Sequence, residues 1–279
     1  VLFRSDFTGS TGSNIVTVTD TTNQTINFGS GDDTLTATGL IAAGEAQVIN
    51  GGAGDDTMTM GALATTTSAI TLNGQAGNDT LTTAPAVGGN PANPQTLNGG
   101  AGFDNIILTG GGAAAINTIV MSDVGALNAD EIAAFGSAVD KIDYNGTLKN
   151  GATTTVADSA ALTIAAAIAA VATDTVYIIT TDLTGASATA LTALTAATPT
   201  TVEGLYATFE TAIVGALGSA AITGLDTIIS ADETVLLAFD DGTDGIILQL
   251  TNTDTTVANT ITTAELDLVG IIDAGGVLA

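Results

Sequence analysis

The chain has 279 residues, and its 3 Lys and Arg against 29 Asp and Glu give a net charge of -26 carried by only 11% of the residues. So large an acidic excess argues against nucleic acid and anionic membrane surfaces as partners, and calls for hydration, spacing or a bound divalent cation to offset it. Cysteine, tryptophan and histidine are absent, which removes disulfides, thiolate nucleophiles, histidine bases and the usual zinc, copper or haem ligands, so the chain is not expected to be an enzyme.

The opening VLFRS (1–5) is one translation of GTGCTCTTCCGATCT, the end of a common sequencing adapter, and is expected to be an artefact. After it a motif recurs: INFGSGDDTLT (26–36), INGGAGDDTMT (49–59), LNGQAGNDTLT (72–82) and LNGGAGFDNII (97–107). Aligned on Asp33, Asp56, Asp79 and Asp104, the copies are spaced by 23, 23 and 25 residues, and a decayed copy, FTGSTGSNIVT (7–17), puts Asn14 at the aspartate position. Repeats of this period predict a solenoid, each copy one coil. Ile26, Ile49, Leu72 and Leu97 precede the turn and Leu35, Met58, Leu81 and Ile106 follow it, two columns that would stack into one core. Asn27, Asn50, Asn73 and Asn98 would form an asparagine ladder beside them. The segments between copies, such as GALATTTSA (61–69) and TTAPAVGGNPANPQ (82–95), vary in length and read as loops.

A tight turn alone would account for one glycine-aspartate copy but not for its recurrence. Stacked coils bring successive aspartates about 5 Å apart. At an effective dielectric of 20, two unit charges at that distance repel by roughly 3 kcal/mol, so a bare carboxylate column opposes the fold that makes it. Glycines that turn backbone carbonyls towards the carboxylate would give an all-oxygen cage, which suits calcium better than magnesium because magnesium demands a tighter octahedron.

On these residues the chain resembles the repeats-in-toxin (RTX) family, whose nonapeptide GGxGxDxUx, U being apolar, forms calcium-loaded parallel β-rolls. The match is closest in GGAGDDTMT and GGAGFDNII, while Gln75 and Phe28 replace glycines in the other two copies. The resemblance implies a mainly β chain, a right-handed parallel β-roll (β-solenoid) followed by a smaller α+β C-terminal domain. It also implies ligands from Gly29, Gly31 and Asp33; Gly52, Gly54 and Asp56; Gln75, Gly77 and Asp79; and Gly100, Gly102 and Asp104. The motif recurs every 23 to 25 residues instead of in tandem nines. Calcium is therefore expected on one edge only, in three inter-loop sites with a weaker fourth between Asn14 and Asp33. ADEIAAFGSAVDKIDYNG (129–146) is similar to the segment that closes such rolls, with Asp130, Phe135, Asp140, Ile142 and Asp143 on its pattern. The roll is thus expected over 6–146 and the C-terminal domain over 147–279.

In that second part, ALTIAAAIAAV (161–171) predicts a packed helix, VYIITTDL (176–183) a strand, and VEGLYATFETAIVGAL (202–217) a helix burying Leu205, Phe209, Ile213 and Leu217. TVLLAFDDGTDGIILQLT (234–251) predicts a hairpin whose Asp240, Asp241 and Asp244 serve the turn. DTTVANTITTAE (254–265) has the outline of an EF-hand loop, but Thr256, Ala258 and Asn259 stand where two ligands and the turn glycine belong. The ending, TITTAELDLVGIIDAGGVLA, resembles the C-termini of type I secretion substrates.

Together these features predict a secreted calcium-binding structural or adhesive cell-surface protein, surface-layer or adhesin-like, that folds on calcium after type I export. Its partners would be the secretion machinery, further copies of itself or a surface polysaccharide. The alternative is the C-terminal export and stability module of a secreted hydrolase whose catalytic domain lies upstream. A calcium-bridged carbohydrate-binding module ranks below both, since so few aromatic rings leave little surface for sugar stacking.

Overall fold

The computed structural model describes residues 7–9, 11–18, 24–37, 46–61, 69–83, 95–109, 117–135, 140–145, 147–149, 155–157, 163–164, 175–178, 183–217, 234–251 and 261–273. The expected artefact at 1–5 lies outside them. The chain divides into two compact units, one of Val1–Met121 with Asp130–Ile142 and one of Ser122–Ala129 with Asp143–Leu278.

The first unit is a parallel β-solenoid. Its strands come in pairs along the chain: Phe7–Thr8 (β1) and Ile15–Val18 (β2), Gln24–Ser30 (β3) and Thr34–Ala37 (β4), Ala46–Ala53 (β5) and Thr57–Thr59 (β6). Ala69–Ala76 (β7) and Thr80–Thr82 (β8), Gln95–Ala101 (β9) and Asn105–Ile107 (β10), and Asn117–Met121 (β11) and Asp130–Ala133 (β12) continue the series before Lys141–Tyr144 (β13). The odd-numbered strands form one parallel sheet, β1-β3-β5-β7-β9-β11-β13, and the even-numbered ones another, β12-β10-β8-β6-β4-β2.

The repeat fixes the register. Ile26 pairs with Ile49, Ile49 with Leu72 and Leu72 with Leu97 in the first sheet. In the second, Leu35 pairs with Met58, Met58 with Leu81 and Leu81 with Ile106. All eight side chains are at most 1% exposed. Alternate residues of β5 and β7 are buried, because successive side chains of a strand point to opposite faces and one face of each sheet meets the core. Each aliphatic side chain so buried contributes about 1.5–3 kcal/mol, repeated at every coil.

The closing segment ends this unit. Asp130–Ala133 pairs in parallel with Asn105–Ile107, Phe135 is buried, and the Asp140 carboxylate accepts from Asn117.

The second unit is a small helix-plus-strand region. Thr147–Lys149 (β14) and Thr155–Ala157 (β15) form an antiparallel ribbon. Thr163–Ile164 (β16), Thr175–Ile178 (β17), Thr234–Asp240 (β18), Gly245–Thr251 (β19) and Leu266–Asp273 (β20) form a sheet in that order. The predicted hairpin at 234–251 is present, with Val235 opposite Leu250 and Asp240 opposite Gly245. Ala186–Leu194 (α1) and Val202–Leu217 (α2) pack on each other.

Three details differ from the expectations. Within the helix predicted at 161–171, Thr163–Ile164 is a strand, as two adjacent β-branched residues favour; the rest of that segment lies outside the described residues. Helix α1 has no counterpart among the predicted elements. The buried face of α2 is Val202, Tyr206, Phe209 and Ile213, with Leu205 only half-buried. That face is set by Tyr206, whose hydroxyl donates to the Leu266 carbonyl at 3.1 Å while its ring packs inside. Among the described residues no helix is long and apolar enough to cross a membrane.

Candidate metal centre

The twelve predicted ligand positions lie at the ends of β3, β5, β7 and β9 and in the turns that follow them, and they stack in register. Gly29 aligns with Gly52, Gly52 with Gln75 and Gln75 with Gly100. The first turn has φ of 109° at Gly29 and 108° at Gly31, the second 121° at Gly52 and 127° at Gly54. The third has 86° at Gln75 and 140° at Gly77, the fourth 104° at Gly100 and 135° at Gly102. The position-four glycines also link coils, since Gly31 N–H donates to Ala53 O at 2.7 Å, Gly54 N–H to Ala76 O at 2.8 Å and Gly77 N–H to Ala101 O at 2.9 Å. At Gly54 a side chain would be strained by φ and obstructed as well, because its Cβ would stand 2.6 Å from the Gly31 carbonyl oxygen.

The four aspartates lie inside these turns, each no more than 2% exposed. Asp33 N–H donates to Oδ1 of Asp56, Asp56 N–H to Oδ1 of Asp79 and Asp79 N–H to Oδ1 of Asp104, each at 2.7 Å. The other oxygen, Oδ2, is buried and accepts no hydrogen bond in Asp33, Asp56 and Asp79. A carboxylate oxygen removed from water without a donor is strongly disfavoured in its charged form. Burial accordingly pushes Asp56 up to about 6, the Asp33 amide pulling back and the charges of Asp33, Asp32 and Asp55 adding to the rise. Asp79 is pushed up to about 7 by burial, against the Asp56 amide and with the charges of Asp104, Asp56 and Asp55.

Room for the carboxylate comes from a glycine five residues before it. A Cβ on Gly51 would collide with Asp56 Oδ2, one on Gly74 with Asp79 Oδ2 and one on Gly99 with Asp104 Oδ2. In the turn of Asp33 this position is Phe28, which is buried. Gly51, Gly74 and Gly99 are absent from the predicted ligand set, and the first glycine of GGxGxD is the signal that could have found them.

A second rail runs beside the buried one. Asp55 N–H donates to Asp32 Oδ1 at 3.0 Å, Asn78 N–H to Asp55 Oδ1 at 2.8 Å and Phe103 N–H to Asn78 Oδ1 at 3.0 Å. Its polarity is opposite: each side chain accepts from the coil after it, whereas Asp56 accepts from the coil before. Asp55 is exposed, yet it is an inter-coil cap as well as a solvated charge. The asparagine ladder runs through Asn27, Asn50 and Asn73, with Nδ2 to Oδ1 distances of 2.6 and 2.7 Å, and Asn98 follows in register.

Compared with protein families, with curated proteins and with solved structures, the chain matches none. What the turns can do is therefore argued from their own chemistry.

Among the described residues no three acidic side chains converge on a point. Each step of the column offers instead a carboxylate from each of two successive coils among backbone carbonyls. The donor set is oxygen alone, with a buried carboxylate oxygen lacking a hydrogen at Asp33, Asp56 and Asp79 and glycine where a side chain would close the space at Gly51 and Gly74. Those features fit a hard, many-coordinate cation and leave nothing for a soft one.

Elsewhere the acidic groups have structural roles. Asp241 Oδ1 accepts from the N–H groups of Thr243 and Asp244, both at 2.9 Å, and Asp240 Oδ1 from Gly242 N–H at 3.0 Å, which builds the hairpin turn. In the EF-hand-like segment, residues 254–260 lie outside the described residues. Its last residue, Glu265, caps a short helical turn by accepting from Thr262 N–H at 2.9 Å and Thr262 Oγ1 at 3.0 Å.

Proposed function

We propose that the chain is a calcium-binding β-roll of the RTX type, a secreted structural or adhesive protein of the bacterial surface that folds on calcium after type I export. The observation that carries this reading is the column of buried aspartates, three of which hold an Oδ2 with no hydrogen-bond partner. Asp33, Asp56, Asp79 and Asp104 would hold the cation with turn carbonyls from Gly29, Gly31, Gly52, Gly54, Gln75, Gly77, Gly100 and Gly102. Calcium when bound supplies the positive charge that the sequence, with 3 Lys and Arg, lacks. Without it the carboxylates stay hydrated only if the coils remain apart, so the binding free energy becomes folding free energy. This suits export through a type I channel, which passes unfolded chains: low calcium keeps the coils apart inside the cell and higher calcium closes them outside.

Circular dichroism of the full chain during a calcium titration tests the reading. β-structure should be incomplete in chelator and should rise with calcium to a plateau, with magnesium much less effective. Complete β-structure in chelator, unchanged by millimolar calcium, would overturn it.

A further inference from the structure

The first coil of the roll is closed by a device that its middle lacks. At the first coil Asn14 N–H and Nδ2–H both donate to Oδ1 of Asp33, at 2.5 and 2.9 Å, and Nδ2–H also donates to the Gly12 carbonyl at 2.6 Å. The steps Asp33 to Asp56, Asp56 to Asp79 and Asp79 to Asp104 keep the backbone donation but have no side-chain amide.

Asn14 turns its side chain to the coil after it, whereas Asp56, Asp79 and Asp104 turn theirs to the coil before and accept there from a backbone N–H. Asn14 Nδ2 carries two donors, directed at a carboxylate of the next coil and at the carbonyl of Gly12, which sits in the repeat where Gly31, Gly54 and Gly77 sit later. At the later steps no side-chain amide stands between the glycine carbonyl and the next carboxylate, and an aspartate could only accept there. Gly31, Gly54 and Gly77 also direct their carbonyl oxygens at the next coil, against Gly54, Gly77 and Gly102. A step of this kind lacks the positive pole that the amide hydrogens give the first one, and the roll holds buried Oδ2 atoms without a hydrogen-bond partner at Asp33, Asp56 and Asp79.

We propose that Asn14 is a built-in substitute for the divalent cation. Its side-chain amide closes the first inter-coil step, so that calcium is confined to the steps Asp33–Asp56, Asp56–Asp79 and Asp79–Asp104, and the first coil joins the roll without metal. The inference rests on the calcium reading above and sharpens it from a column of aspartates to a roll whose metal-dependent steps begin only at Asp33.

Calcium binding by the full chain, followed by isothermal titration and by metal content after gel filtration, tests this with Asn14→Asp and Asp33→Asn. The wild type should bind three calcium ions and Asn14→Asp four. Asp33→Asn should bind two, because its new amide, turned to the coil after it as that of Asn14 is, would bridge Gly31 O and Asp56 Oδ1, and it should retain more β-structure than the wild type in chelator. If Asn14→Asp does not fold, the loss of one ion in Asp33→Asn and its gain in chelator decide the matter. A wild type that binds none defeats the calcium reading and this inference with it. A wild type that binds four, or variants that keep three, defeats the inference alone.

Discussion

Asp33 gives its backbone N–H to the Asp56 carboxylate at 2.7 Å, and Asp56 gives its own N–H to Asp79 at the same distance. Each aspartate thereby ties its side chain to the coil before it and its main chain to the coil after it. Asp56→Ala leaves the Asp33 N–H buried without its acceptor, a loss of about 1–3 kcal/mol before any cation is counted. Asp56 also stands at two steps of the column, whereas Asn14 stands at one. In calcium, denaturant unfolding should therefore show a larger loss for Asp56→Ala than for Asn14→Ala. Equal losses would argue against sharing of ligands between coils.

The same burial sets a pH dependence. In chelator the folded state holds Asp79 at about 7 and Asp56 at about 6, both above the ordinary carboxylate value of 3.8. Between these values the folded chain binds more protons than the unfolded one, so stability falls as pH rises through that window. The metal-free protein should thus gain β-structure on acidification from above pH 7 towards 4. On the proposed reading calcium would bind the deprotonated carboxylates, so saturating calcium should flatten or reverse the trend. A metal-free protein that becomes more stable as pH rises from 4 to 7 would mean that the buried carboxylates are satisfied in some other way.

The solenoid was legible because its period is long-range information written locally. A spacing of 23 residues between Asp33 and Asp56 and between Asp56 and Asp79 dictates which residues pair, and Ile26, Ile49, Leu72 and Leu97 could then fall only in one column. Polarity within a column is a different matter. That Asp32, Asp55 and Asn78 accept from the coil after them, while their neighbours Asp33, Asp56 and Asp79 are tied in the opposite sense, depends on where two adjacent side chains of one turn point. Composition does not carry that. Helix α1 was missed because ASATALTAL lacks both charges and large side chains; Leu191 and Leu194 alone give little helical periodicity. At Thr163–Ile164 the alanines around the pair suggested a helix and the local β-branching prevailed.

Gln75 breaks the glycine pattern at the second position of the motif, where the other three copies have Gly29, Gly52 and Gly100. It takes φ of 86°, in register with Gly52 and Gly100. Positive φ disfavours a residue with a Cβ by about 1 kcal/mol. Gln75→Gly should accordingly stabilise the roll by up to ~1 kcal/mol, less the loss from a looser unfolded chain. Gly52→Ala, whose Cβ would run into the Gly29 carbonyl, should destabilise it by more than that. Denaturant midpoints at constant calcium give both numbers, and a destabilising Gln75→Gly would show that the glutamine side chain contributes more than its backbone costs.

Glu265 separates two accounts of the segment 254–265. An EF-hand loop would use it as the twelfth-position ligand, yet its Oε2 accepts from both the N–H and the hydroxyl of Thr262, and the side chain is buried beneath a helical turn that leads into β20. Removing such a cap costs about 1 kcal/mol. Glu265→Ala should therefore lower the stability of the second unit by about that amount, read from the loss of tyrosine fluorescence around Tyr206, whose hydroxyl is bonded to Leu266. It should leave the calcium stoichiometry unchanged, because the cation sites argued above all lie in the roll. A stoichiometry lower by one would instead make Glu265 a ligand, and would require the carboxylate to leave Thr262 whenever calcium is bound.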